Sequence, residues 1–220
     1  KIDQLLPQGS IAFTTALRGL QDVFHLHQPG KVSIDSKENV IKDLLRAIIE
    51  KRASTIDYKK TTEAEVKRFC FHPYSILFHA GSIYIIGFQP YHENLIYLAL
   101  HRIQQIEISG EIFERDPEYN LDDFLKNNFG IWHEDPVDVV IRFDELVANT
   151  IRERIWHHSQ TIKQLDNGEI ELTMHVGPSE ELIAWILRWG IHAEVEKPDS
   201  LRKQIQSVFE EGVKLYRRKT

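Results

Sequence analysis

The sequence holds a single cysteine, Cys70, among 220 residues, so no disulfide forms within the chain and a reducing compartment suits it. Set in an apolar run, that thiol reads as core packing rather than as a nucleophile. Long apolar runs are also missing. None approaches the ~20 residues that span a bilayer, and no secretory leader is legible. The expectation is a cytoplasmic protein with no membrane contact. An excess of positive charge is lacking as well. The chain carries 27 Lys and Arg against 33 Asp and Glu, a net −6, whereas a domain that grips duplex DNA by its phosphates is strongly basic. Any duplex binding belongs to a module elsewhere or to a local patch.

Catalytic signatures are absent too. There is no Gly-x-Ser-x-Gly elbow, no Walker A loop and no Gly-x-Gly-x-x-Gly fingerprint. The acidic pair Asp122-Asp123 falls on an exposed face. Eleven histidines raise the question of metal, with His25-x-His27 and His157-His158 the closest groupings. Neither has a neighbouring Cys or the spacing of a three- or four-ligand zinc site. The expectation is no enzyme, no metal and no cofactor.

What the sequence does have is a dense β region, Phe69 to Ile103. Cys70–Phe78, Gly81–Phe88 and Leu95–Leu100 are rich in β-branched and aromatic residues and fenced by Gly, Pro or Asn. With the strand Thr55–Tyr58, the polar loop over 59–65 and a strand Arg102–Ser109 ended by Gly110, they read as a small antiparallel barrel. The run His72-Pro73-Tyr74, then Ile83-Tyr84-Ile85 before Gly87-Phe88, then Arg102-Ile103, resembles the WYL domain of bacterial transcriptional regulators. Ile83 and Ile85 stand where that family has Trp and Leu, and Tyr84 is retained. Ile96 and His101 occupy the places of a further Arg and of an acid before the Arg-Ile pair. The resemblance implies an SH3-like or Sm-like fold for this part.

The rest of the chain orders itself by caps and periodicity. Ser10 caps a helix bearing Phe13, Leu17, Leu20 and Phe24 that ends near Pro29-Gly30. Ser36 caps a second, with Ile41, Leu44, Leu45 and Ile48 inward and Lys51-Arg52 at its close. After a charged connection, Asn120 caps a short helix, and Asp135-Pro136 marks a junction. Beyond it come the strand Val137–Phe143 and a helix capped by Asp144, with Val147, Ala148, Ile151 and Ile155 on one face. Two strands follow around the turn Asp166-Asn167-Gly168. A helix capped by Ser179 and stopped by Gly190, the strand Ile191–Glu196, and a last helix bearing Leu201, Ile205, Val208, Phe209 and Tyr216 complete the chain. The order β-α-β-β-α-β is the ferredoxin-like one. This half, through Glu181–Gly190, Val195 and Pro198, resembles the WCX extension that follows WYL domains. The expected fold class is therefore α+β: an SH3/Sm-like barrel followed by a ferredoxin-like βαββαβ domain. The divisions expected are a linker helix region over 1–35, the barrel over 36–119, a connecting helix over 120–136 and the C-terminal domain over 137–220.

Small barrels bind oligonucleotides by combining stacking aromatics with cations. Arg68, His72, Tyr74, Tyr84, His101 and Arg102 are the candidates here, with Tyr97 nearby. Tyr84, Ile86 and Phe88 share one face of their strand, so Tyr84 is open to both a core and a stacking role. Arg102 lies between apolar strand segments, and such a residue reaches solvent, pairs with an acid or meets an anion. The resemblance implies the last, with a nucleic acid fragment or nucleotide-like ligand. It also implies a homodimer, and operator DNA held by an N-terminal winged helix-turn-helix. None is legible in residues 1–35, and the chain begins at Lys1, so the expectation is that such a module precedes it. A ligand-free oligomerisation module is the competing reading.

Overall fold

The computed structural model describes residue 30 and residues 32–217. The helix expected from Ser10 onward and the His25/His27 pair lie outside the described residues. Backbone contacts divide the chain into two compact units, at Ile112/Phe113, each with its own core.

The first unit opens with a 3-10 turn, Asp35–Lys37, that runs into helix α1, Glu38–Ile49. Ser36 lies inside that turn, and Lys37 holds the N-cap position without a side-chain cap bond. The expected Ser36 cap is thus corrected: the 3-10 turn starts the chain curling one residue earlier. Leu44 and Ala47 are the buried centre of α1, whereas Leu45 is exposed. Glu38–Lys42 and Arg46–Glu50 pair at i,i+4 on the outer side. Lys51 follows in the left-handed region, φ 53°, where a helix end needs a reversal that glycine usually supplies.

Five antiparallel strands follow: β1 Arg52–Lys59, β2 Val66–His79, β3 Ser82–Gln89, β4 Asn94–Ala99 and β5 Ile103–Ile112, in the spatial order β4-β3-β2-β1-β5. Strand β2 is longer than its apolar core suggested because its two ends pair different neighbours, β1 through Val66–Phe71 and β3 through His72–His79. Proline cannot donate to a ladder, and the register shifts between Pro73 and Ser75, a bulge that leaves Tyr74 as the extra, buried residue. Gly110 does not end β5; it sits at a register irregularity opposite Arg52–Ser54, and Arg52 Nη1 donates to its carbonyl at 2.5 Å.

One face of this sheet packs on α1 through Ile56, Tyr58, Phe71, Ile85, Leu98, Ile103 and Ile106 around Leu44. Gly87 is required there. A Cβ on it would fall 2.4 Å from the Phe71 ring and 2.3 Å from the His72 carbonyl oxygen. The sheet curls: Tyr58 of β1 accepts from the Ala99 N–H of β4 at 3.2 Å, although two strands separate β1 from β4 in the sheet.

In the second unit α2 (Leu121–Leu125) is capped by Asn120, which accepts from Asp122 and Asp123 N–H. Then come β6 Val137–Phe143, α3 Glu145–Arg152, β7 Thr161–Gln164, β8 Ile170–Val176, α4 Glu180–Leu187, β9 Ala193–Lys197 and α5 Asp199–Arg217. The sheet order β7-β8-β6-β9 is the one that two interleaved βαβ units generate. Asp144 and Ser179 cap α3 and α4 by accepting from Leu146 and Leu182 N–H. Gly168 supplies the positive φ, 84°, of the β7–β8 turn. The core joins Val139, Ile141, Phe143, Leu172, Met174, Leu182, Trp185 and Ile186. Trp156, Trp185 and Trp189 meet Phe143 edge-on or one another.

The segment before β6 belongs to this packing. Phe129 lies against Trp185 at 5.1 Å, and Glu181 accepts from the Ile131 N–H at 2.6 Å. Gly130, at φ 97°, leaves the room that the Glu181 carboxylate fills. Two expectations are corrected here. Ile155 is exposed because α3 ends at Arg152. Val208, Phe209 and Tyr216 are exposed because α5 outruns the sheet beneath it, burying only Leu201 and Ile205.

Candidate anion-binding site

The site is built where β4 passes into β5. Strand β4 ends at Ala99, and the 3-10 turn Leu100–Arg102 carries the chain across to Ile103. Leu100 anchors that turn in the core at 1% exposure, leaving His101 and Arg102 half-buried at the rim. The start of α1 meets the same place: Lys37, also half-buried, donates from Nζ to the Ile103 carbonyl at 2.7 Å.

The electrostatics of this corner are one-sided. Burial pushes the His101 imidazole below its ordinary value, and the charges of Arg102 and then Lys37 push it further the same way. No ion pair engages the Arg102 guanidinium among the described residues. Nearby acids are otherwise occupied, Glu38 by Lys42 at 2.8 Å and Asp35 by the Ser33 hydroxyl at 2.9 Å. Lys37 sits at the positive end of the α1 dipole, where a cation is disfavoured. An anion here meets two fixed cations, a titratable one and a helix N-terminus together.

Strand β3 lies against the 3-10 turn. Tyr84 is opposite Ala99 on one side and Leu77 on the other, on the sheet face away from α1 with Ile86 and Phe88. It is half-buried, and its ring is 6.5 Å from that of His79. The Ala80-Gly81 turn brings His79 alongside, with positive φ at both residues, 44° and 78°, as a two-residue hairpin requires.

The six candidates thus separate. Tyr84, His101 and Arg102 gather at this end. Arg68 lies nine residues up β2 from Leu77, roughly 30 Å along a strand, in an ion network. It pairs with Asp57 on β1 at 3.2 Å and with Glu107 on β5. His72 is opposite Phe88, ring centroids 6.0 Å apart, and burial lowers its pKa against the opposing pull of Glu111. Tyr74 is 5% exposed at the β2 bulge. Lys37 and His79 were not among the candidates. Only the 3-10 turn that displaces the helix start puts Lys37 here, and no local pattern in the sequence signals it.

Among the described residues no three His, Cys, Asp or Glu side chains converge as metal ligands. His157 and His158 do meet, edge to face, with ring centroids 4.2 Å apart. His157 is committed structurally, its Nε2–H donating to the Lys126 carbonyl and its Nδ1 accepting from Ser159, both at 2.7 Å. No helix among the described residues is long and apolar enough to cross a membrane.

Comparison with known proteins agrees with this architecture. The WYL domain model matches residues 39–108 and the WCX domain model residues 135–212. Among solved structures, a CRISPR Cas-related protein aligns with 84% of this chain at 11% identity and a TM-score of 0.57. That likeness concerns the fold. The proteasome accessory factor B/C (PafBC) of Arthrobacter aurescens aligns with 80% of the chain at 16% identity and a TM-score of 0.39. The alignments span 53% and 27% of those two chains, respectively. No curated protein matches. The chain contains a WYL domain, which carries His101 and Arg102 of the basic corner, followed by a WCX domain.

Proposed function

We propose that this chain is the effector-sensing part of a transcriptional regulator, and that the corner of Lys37, His101 and Arg102 takes an anionic ligand. The observation that carries the reading is the Arg102 guanidinium, half-buried and without an acidic partner among the described residues. A charge partly withdrawn from water is retained at a cost unless something pairs with it. Phosphate suits this corner, because guanidinium binds it in a two-pronged fork while Lys37 adds a point charge. Tyr84 and His79 offer rings on which a base stacks. The ligand class is a short single-stranded nucleic acid or a nucleotide, and the role is binding rather than catalysis. Operator contact is left to another module, which the ligand influences by preferring one arrangement of the regulator over another.

Fluorescence anisotropy with labelled single-stranded DNA and RNA oligonucleotides across a salt series tests this. The reading expects affinity that falls with salt and drops at least roughly tenfold in Arg102→Ala. Equal, feeble binding by both proteins contradicts it and leaves the ligand-free interaction module standing.

A further inference from the structure

We infer that residues 32–37 form a strap that an anion at the basic corner draws tight, so that occupancy of the site is passed to the chain entering the first unit. The inference rests on the proposed anion site and concerns its regulation. Two ties hold the strap. At its start the Val32 N–H donates to the Gly81 carbonyl at 3.2 Å, at the tip of the β2–β3 hairpin that carries His79 and leads into Tyr84. At its end Lys37 Nζ donates to the carbonyl of Ile103, the residue after Arg102, at 2.7 Å. Between them Ile34 packs against the core of the unit. Local bonds fold the strap on itself. Ser33 Oγ donates to the Asp35 carboxylate at 2.9 Å, and the Lys37 N–H donates to the Ile34 carbonyl at 2.8 Å. It therefore responds as one piece.

The two ties differ in kind. The Val32–Gly81 bond joins neutral backbone groups. The Lys37 tie holds an ammonium beside Arg102 and at the positive end of the α1 dipole, and the strap's own acid, Asp35, is engaged by Ser33. Without an anion the fixed charges of the corner oppose this tie, and only a carbonyl dipole favours it. A phosphate held by Arg102 reverses the sign of that field. An ammonium has three donors, so Lys37 keeps the Ile103 carbonyl and takes a phosphate oxygen as well, through the stronger charge-assisted bond. Ligand thus tightens the strap, and by linkage a tightened strap favours ligand. Residues 1–31 join the unit at Val32, so what happens at Lys37 reaches them through the strap.

Amide-resolved hydrogen exchange of the whole chain by NMR, with and without a saturating short single-stranded DNA oligonucleotide, is the test. Anisotropy on the same samples records binding. The expected result is that the oligonucleotide slows exchange at the Val32 and Lys37 amides by at least about threefold, while the amides of β6 are unchanged. In Lys37→Met the oligonucleotide still binds through Arg102 at higher concentration, and the slowing is lost. Without ligand, Arg102→Gln slows both amides by about twofold, because it relieves the repulsion. Binding that leaves both amides unchanged overturns the strap and leaves the anion site standing, as does slowing that persists in Lys37→Met. Unchanged or faster exchange in ligand-free Arg102→Gln also overturns it. No binding by the original chain overturns the strap and the anion site together.

Discussion

Arg102, in the turn between two strands of the first unit, and Arg142, on a strand of the second, are both half-buried arginines, and they are treated oppositely. Arg142 on β6 is surrounded by carboxylates, bonded to Glu194 and within 3.9 Å of Glu169 and 3.7 Å of Glu196. Its protonation is reinforced chiefly by the bond to Glu194, and Arg202 adds a second cation to that same acid. Arg102 instead has His101 and Lys37 for neighbours. The contrast separates two uses of one residue type. A cation whose acids lie on neighbouring strands ties those strands together; cations gathered without acids leave a field for something else to neutralise. Arg68 follows the Arg142 pattern within the first unit, bridging Asp57 and Glu107, so the distinction belongs to the site and not to the domain.

This comparison can be broken or sharpened in steps. The largest effects lie in the two cores, which should respond apart from binding. Trp185→Ala removes the centre of the aromatic cluster and is expected to cost about 3–5 kcal/mol in denaturant unfolding. Gly87→Ala, which forces a methyl into the Phe71 ring, costs about 1–3 kcal/mol or somewhat more. Next in size, Arg102→Ala lowers oligonucleotide affinity by about 1.5–3 kcal/mol, the worth of a charge-assisted bond, while the melting temperature holds or rises as repulsion at the corner is relieved. Smaller still, Arg142→Met changes stability by about 1 kcal/mol or less, since its bridges are solvent-screened, and leaves affinity unchanged. A large loss of affinity in that variant would erase the distinction.

Protonation gives the finest test. His101 is lowered by burial and by two cations, so it is neutral near pH 7. A bound anion raises it, hence binding takes up a proton and affinity strengthens as pH falls below the ordinary histidine value of about 6.5. His157 is also lowered, first by burial and less by His158 and His175, against the opposing bond to Lys126. It touches no ligand, so its signature is in stability. The unfolded chain binds the proton more readily, and stability drops as pH falls from about 6.5 through the lowered value. His157→Gln should flatten that slope, followed by thermal melts at stepped pH, and leave the affinity profile unaltered.

Much of the second unit was legible because its signals are local. Asn120, Asp144 and Ser179 cap where their side chains predict, and Asp166-Asn167-Gly168 turns β7 into β8. Strand alternation placed β6 to the residue. Periodicity misled where an element outlasts its support. Val208, Phe209 and Tyr216 continue the apolar stripe of Leu201 and Ile205 beyond the sheet, and a stripe does not record where its partner surface ends. In the first unit the alternation put Tyr84 on the same face as Ile86 and Phe88. Whether the candidate residues meet depends on long-range register. The bulge at Pro73–Ser75 and the handover of β2 from β1 to β3 send Arg68 and His72 away from Tyr84. The 3-10 turn before α1, which has no strong sequence signature, brings Lys37 in.

The central claim is that the unpaired cations at the β4–β5 corner, and not the paired ones, hold the ligand. Isothermal titration calorimetry of one short single-stranded oligonucleotide into the original chain, Arg102→Ala and Arg68→Ala puts it most directly. The account predicts that affinity falls at least roughly tenfold for Arg102→Ala and persists for Arg68→Ala. Loss in Arg68→Ala with retention in Arg102→Ala would contradict it and move recognition to the opposite end of β2.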